Sequence, residues 1–131
     1  MLTYLIDDDA ISLYLAEQVL RLADFTTAVR TFLTAEAALS YLLAQLPAQA
    51  PQLIFLDLNM PGMDGWEFLQ ALEPHRAALQ DRCRIYILTS SLVVADTARA
   101  QDYALVAGVL YKPLDAAELQ VIKAHLCEAG G

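Results

Sequence analysis

Leu53-Ile54-Phe55-Leu56 is a run of four apolar residues, introduced by Pro51 and stopped by Asp57. A strand with one wet face alternates apolar and polar residues, whereas a strand covered on both faces reads as a continuous apolar run. The run is therefore expected to be an inner strand of a parallel sheet. Comparable runs stand on either side of it: Leu2-Thr3-Tyr4-Leu5-Ile6, a weaker one from Phe25 to Val29, Ile85-Tyr86-Ile87-Leu88, and Val109-Leu110-Tyr111. Helical patterns separate them, from Ala10 to about Leu22 with Asp9 read as its cap, behind a Thr34 cap with Leu39, Leu42, Leu43 and Leu46, and from about Asp64 to Leu72. Two more run from roughly Val94 to Tyr103 and, behind Asp115 as N-cap, from about Ala116 to Cys127. Strand starts near residues 2, 25, 53, 84 and 109 each leave room for one βα unit. An α/β fold follows, with an open, doubly wound, five-stranded parallel sheet.

The chain of 131 residues fits one domain, expected over 1–129, with Gly130-Gly131 as a short flexible tail. At 57% hydrophobic and 18% charged residues it can bury a sizeable core. Eight Lys and Arg against 16 Asp and Glu give a formal charge of −8, which repels phosphate backbones and argues against direct nucleic-acid binding. No stretch approaches the roughly 18 apolar residues of a membrane span. Asp7, Asp8 and Asp9 interrupt the apolar run that a signal peptide would need, so a cytoplasmic location is expected. Cys83 and Cys127 then read as reduced structural thiols, and His75 and His125, without ligand-spaced partners, as surface residues.

Ligands of open parallel sheets bind outside the carboxyl ends of the strands. The residues that directly follow the apolar runs are Asp7 and Asp8, then Asp57, then Thr89 and Ser90, and finally Lys112-Pro113. Two carboxylates about 4 Å apart repel by roughly 4 kcal/mol at an effective dielectric near 20. Three on one rim therefore take up a proton or hold a cation. All-oxygen ligands completed by water suit Mg²⁺ better than Ca²⁺. Carboxylates, Mg²⁺, a lysine and a hydroxyl together make a phosphoryl-transfer site in which a carboxylate can be the nucleophile.

These residues resemble the receiver domain of two-component response regulators over essentially the whole chain. The likeness rests on Leu5-Ile6-Asp7-Asp8-Asp9, on Leu56-Asp57-Leu58-Asn59-Met60-Pro61-Gly62-Met63-Asp64-Gly65, on Leu88-Thr89-Ser90-Ser91 and on Tyr111-Lys112-Pro113-Leu114. The resemblance implies a flavodoxin-like fold of strand order 2-1-3-4-5 with five helices. It implies that Asp57 accepts a phosphoryl group from a phosphohistidine on a sensor histidine kinase or a histidine phosphotransfer protein. Asp8 and Asp57 would ligate Mg²⁺ by side chain, Asn59 by its backbone carbonyl, and Asp7 through a water. Lys112 would pair with the phosphoryl group and Thr89 would hydrogen-bond it. Pro113 would follow a cis peptide that aims Lys112 inward, and Pro61 and Gly65 would shape the loop beside the site. Ser90 occupies a position that the family often keeps small.

The resemblance has one departure. Many members carry an aromatic residue directly after the glycine that opens strand five; here that glycine is read as Gly108, and Val109 follows. Tyr111, two positions on, is expected on the same side of the strand. In the first helix, Ile11, Leu15, Val19 and Leu22 share one face at 100° per residue and are expected in the core. Leu13, Ala16 and Leu20 fall opposite, and are read either as a docking stripe for the phosphodonor's helices or as a stripe covered by a neighbouring helix. Leu92 and Val93 form a second candidate patch, and Trp66 reads as a helix anchor usable as a fluorescence reporter.

The expected function is a stand-alone phosphoacceptor signalling domain rather than an enzyme, passing its message through protein contacts to a kinase, an unknown downstream protein or a second copy of itself. The alternatives are a degenerate receiver that binds partners without phosphorylation, and a Mg²⁺-dependent aspartyl-phosphate phosphatase. The latter needs an acid two residues after its nucleophile, where Asn59 stands.

Overall fold

The computed structural model describes residues 2–23, 28–46, 48–90 and 98–130, with side chains up to residue 124. In chain order the elements are β1 (Leu2–Ile6), α1 (Ala10–Leu22), β2 (Ala28–Phe32), α2 (Ala35–Gln45), β3 (Leu53–Leu56) and α3 (Gly65–Leu72). A 3-10 turn (Glu73–His75) and one helical turn (Arg76–Leu79) extend α3. They are followed by β4 (Arg84–Thr89), α4 (described at residues 98–100), β5 (Val106–Tyr111) and α5 (Ala116–Gly130). The strands form one parallel sheet in the order β2-β1-β3-β4-β5, as the resemblance implied. None of the described helices is long and apolar enough to cross a membrane.

Burial explains the continuous apolar runs. All four residues of β3 are buried, as are four of the five in β1 and five of the six in β4. Side chains alternate across the sheet, so one strand feeds two cores. Tyr4, Ile6, Ile54, Leu56, Ile85 and Ile87 face α2 and α3, while Leu5, Leu53, Phe55, Tyr86 and Leu88 face α1 and α5. The edge strands β2 and β5 are only partly covered, which is why their apolar signals are weak.

Helix starts obey the caps read from sequence. The Asp9 carboxylate accepts from the Ile11 N–H, the Thr34 hydroxyl from the Ala37 N–H, and Asp115 from the Glu118 N–H. At α3, Asp64 and Glu67 close a reciprocal capping box. The C-terminal helix runs to Gly130, and Gly131 lies outside the described residues.

Three readings need correction or fall outside the described residues. The buried face of α1 is Leu13, Ala16 and Leu20, whereas Ile11, Leu15 and Leu22 are 71%, 53% and 87% exposed. Both faces are apolar, so periodicity alone cannot choose between them. The smaller Ala16 sits at the centre of the buried face, where the helix lies against the sheet, and the bulk of Ile11 and Leu15 faces away. Leu13, Ala16 and Leu20 are core residues and present no docking stripe; Val19 is only partly buried. Second, β5 begins at Val106 rather than 109, because Gly108 lies within it. Gly108 pairs with Tyr86, and a Cβ there would sit 3.2 Å from the Tyr86 ring. Third, β2 begins at Ala28; Phe25 lies outside the described residues, as do Leu92 and Val93.

Cys83 is a buried free thiol, and burial pushes its pKa up to about 12. Tyr4 is the centre of a ring cluster with Phe32 and Tyr41, at centroid distances of 5.1 and 6.1 Å. Among the described residues its buried hydroxyl has no hydrogen-bond partner, and desolvation of such a group costs about 1–3 kcal/mol. Tyr4→Phe keeps the ring and removes that penalty. It should therefore raise unfolding stability by about 1 kcal/mol in urea denaturation.

Candidate functional site

The acidic rim is built by main-chain hydrogen bonds that carry the sheet ladder past the ends of its strands. The Asp7 N–H donates to the Phe32 carbonyl at 3.1 Å, and the Asp57 N–H to the Ile6 carbonyl at 3.0 Å. Asp7 and Asp57 are thereby held side by side, each 6% exposed, with Asp8 exposed beside them. On the far side the Lys112 N–H donates to the Thr89 carbonyl at 2.8 Å, which places fully buried Thr89 next to the lysine. The Lys112-Pro113 peptide is cis.

Lys112 Nζ lies 2.6 Å from Asp7 Oδ2 and 3.8 Å from Asp57 Oδ2. One oxygen from each of Asp7, Asp8 and Asp57 falls within 4.8 Å of the others. The Asn59 N–H reaches Asp57 Oδ1 at 3.4 Å, and the Asp9 N–H reaches Asp7 Oδ1 at 3.0 Å. The predicted Asp7, Asp8, Asp57, Asn59, Thr89 and Lys112 thus meet at one end of the sheet. The direct Lys112–Asp7 pair was not read from the sequence, since spacing locates residues on a rim but not which carboxylate the ammonium prefers.

Electrostatics follow from three carboxylates facing one ammonium. Burial pushes the Asp57 carboxyl up to about 6, and the Asp7 charge adds to the rise, while Lys112 and the Asn59 N–H pull the other way. For Lys112, burial favours the neutral amine, but the hydrogen bond to Asp7 and the charges of Asp57 and Asp7 reverse this and raise its pKa. Asp57 is thus poorly paired, and Lys112 stays charged.

The loop after Asp57 is shaped by close packing. The Gly65 N–H donates to the Leu58 carbonyl at 3.0 Å, and a Cβ on Gly65 would sit 2.7 Å from the Asp57 carbonyl oxygen. Only glycine lets α3 start against the Asp57 backbone. Gly62, after exposed Pro61, turns with φ +75°, and a Cβ there would meet Glu36 Oε2 at 2.9 Å. The Met60-Pro61-Gly62 order carries the signal for this turn, which the sequence reading left to Pro61 and Gly65 alone.

Two hollows are present, one beside the rim and one beside β5. One of about 510 Å³ is lined by Leu15, Gln18, Val19, Leu88, Ser90, Lys112, Pro113 and Leu114, so Ser90 opens onto the lysine side of the site. The other, about 400 Å³, lies between α4 and β5 and includes Ala100, Gln101, Val109 and Tyr111. Val109 and Tyr111 do share a face, and Tyr111 is 56% exposed.

The raised Asp57 pKa sets a stability prediction for the metal-free protein. Folded Asp57 keeps its proton up to pH of about 6, whereas the unfolded chain releases it near 3.8. The folded state is therefore favoured below that range and loses stability as pH rises through it. Asp57→Asn escapes this loss. Its stability should match the parent's near pH 4 and exceed it at pH 7, by on the order of 1 kcal/mol. Urea denaturation in chelator at the two pH values checks it.

The family model for the response regulator receiver domain matches residues 3–123. No curated protein matches significantly. Among solved structures, a two-component response regulator from Cytophaga hutchinsonii is 28% identical, with a TM-score of 0.90 over 97% of this chain and 96% of that one. A response regulator receiver protein from Dyadobacter fermentans is also 28% identical, with a TM-score of 0.85 over 99% and 98%. A two-component response regulator from Legionella pneumophila is 25% identical, with a TM-score of 0.76 over 94% and 97%. With the matching family model spanning nearly all of the sheet and its acidic rim, this chain belongs to the response regulator receiver domain family of two-component signalling.

Proposed function

We propose that the acidic rim accepts a phosphoryl group on Asp57 from a phosphohistidine of a sensor kinase or phosphotransfer protein, in a Mg²⁺-dependent reaction. The convergence of Asp7, Asp8, Asp57 and Lys112 carries this reading, since three carboxylates and one ammonium leave an uncompensated negative site. The donor set fits Mg²⁺: Asp8 and Asp57 would supply hard carboxylate oxygens, Asp7 would act through a water, and the Asn59 carbonyl would complete the set as the family resemblance implies. Bound there, Mg²⁺ neutralises the carboxylates and draws charge from the phosphoryl oxygens.

The chain's own residues supply the rest. An Asp57 carboxylate oxygen forms the new O–P bond as the donor's N–P bond breaks, and the imidazole nitrogen leaves with the bonding pair. Lys112, already 3.8 Å from Asp57 Oδ2, meets the negative charge brought by the phosphoryl oxygens, and the adjacent Thr89 hydroxyl offers them a hydrogen bond. Bonding of Lys112 and Thr89 to the phosphoryl group changes their contacts, which gives phosphorylation a route to partner-binding surfaces. Contact with a kinase's phosphohistidine puts the domain in the cytoplasm.

The donor is expected to dock on the exposed α1 face. Ile11 and Leu15 present apolar surface there, and Leu15 edges the hollow that opens beside Lys112 and Ser90. A helix of the phosphodonor seated on that face would bring its phosphohistidine to the rim.

Intact mass after incubation with acetyl phosphate tests the chemistry. The parent should gain one phosphoryl group only with Mg²⁺, and Asp57→Ala should gain none. Equal uptake by that variant would overturn the assignment. An unphosphorylated parent that binds Mg²⁺ and resists a protein donor as well would favour the phosphorylation-independent interaction module. For docking, Leu15→Glu should slow transfer from a protein donor roughly tenfold or more, the scale of a lost interface anchor, and leave acetyl phosphate uptake unchanged. Equal slowing with both donors contradicts the docking face.

A further inference from the structure

Trp66 joins the acidic rim to the segment that precedes β5. It is the second residue of α3, is 8% exposed and is the chain's single tryptophan. Tyr103 stacks on it with ring centroids 6.1 Å apart and planes inclined by 28°. Arg99 lays its guanidinium 4.5 Å from the centre of the same indole, and makes no ion pair among the described residues. Two side chains of residues 98–103 therefore hold one ring of α3. On β5, position 109 contributes only a valine to this core, and the Tyr111 ring is mostly in solvent.

The backbone that carries the indole is packed against Asp57 through the preceding residue. Gly65, its chain neighbour, is hydrogen-bonded to the Leu58 carbonyl and packed against the Asp57 carbonyl, with no room for a methyl group between them. The Asp64–Glu67 capping box stiffens the same helical turn. A shift of the Asp57-Leu58 backbone must move the first turn of α3 with it, because packing this close has no slack to absorb the change. The ring contacts then transmit that movement to residues 98–103.

We propose that Trp66, gripped by Tyr103 and Arg99, is a positioning relay through which the state of Asp57 sets the placement of residues 98–103. The relay rests on the phosphoacceptor reading of Asp57 and adds a route from that site to the α4–β5 surface. Ring stacking and cation–ring contacts are each strong enough to shift a two-state equilibrium roughly twofold or more.

Hydrogen exchange measured by mass spectrometry on peptides covering residues 98–103, with and without acetyl phosphate and Mg²⁺, tests it. Intact mass on the same samples reports phosphoryl uptake. In the parent, exchange in that segment should change upon phosphorylation, and Trp66 emission should change in parallel. In Tyr103→Leu and Arg99→Gln the exchange difference should fall at least roughly twofold with phosphoryl uptake unchanged. Trp66→Phe, which keeps a ring, should retain more of the difference than Trp66→Leu. A merely structural role would shift exchange equally in both phosphorylation states and leave the difference intact. The relay is overturned if the phosphorylated parent shows no exchange difference, or if Tyr103→Leu and Arg99→Gln keep the full one. Absence of added phosphoryl mass in the parent overturns the phosphoacceptor reading and the relay with it. Should Trp66→Leu fail to fold, half-buried Tyr103 and exposed Arg99 still decide the question.

Discussion

Asp7 and Asp57 are forced together by the backbone, whatever their charges prefer, because the ladder between β2, β1 and β3 continues one residue beyond each strand. The N–H groups of both residues are committed to the neighbouring strand's last carbonyl, so neither carboxylate can retreat without breaking the sheet edge. Their mutual repulsion is built into the fold, and only Lys112 stands against it among the described ion pairs. The raised Asp57 pKa records that imbalance.

The surrounding structure serves to keep that rim stiff. A parallel sheet buried on both faces supplies two cores, and the alternation along β1, β3 and β4 divides their side chains between them. On one side Gly65 allows α3 to begin in contact with Asp57; on the other, the β4–β5 ladder seats Lys112 beside Thr89. Chemistry placed on such rigid elements can pass small displacements outward, since close-packed contacts shift between discrete arrangements rather than yielding gradually.

Most of this was legible in the sequence for identifiable reasons. Continuous apolar runs marked the strands buried on both faces, and a carboxylate, hydroxyl or lysine directly after each run marked the rim. Asp9, Thr34 and Asp115 announced helix starts because their side chains satisfy N–H groups that the helix leaves free. The face of α1 was not legible, since Leu13, Ala16 and Leu20 and the opposite Ile11, Leu15 and Leu22 are both apolar stripes and only tertiary packing chooses between them. The start of β5 was missed because glycine at 108 reads as a boundary until the Tyr86 ring opposite it is seen. Neither the Lys112–Asp7 pair nor the grip of Tyr103 and Arg99 on Trp66 has a spacing signature, as each joins residues far apart in the chain.

In the proposed reaction Asp57 is the acceptor, held ready by Asp7, Asp8 and Lys112. Borohydride reduction tests this most directly, because it converts an aspartyl phosphate to homoserine and leaves free carboxylates untouched. After treatment with acetyl phosphate and Mg²⁺, followed by borohydride and peptide mass mapping, homoserine should occur at position 57 and disappear when Mg²⁺ is withheld. Homoserine at Asp7 or Asp8 with position 57 unmodified, or at no position in a chain shown to carry the phosphoryl group, would contradict an acceptor role for Asp57.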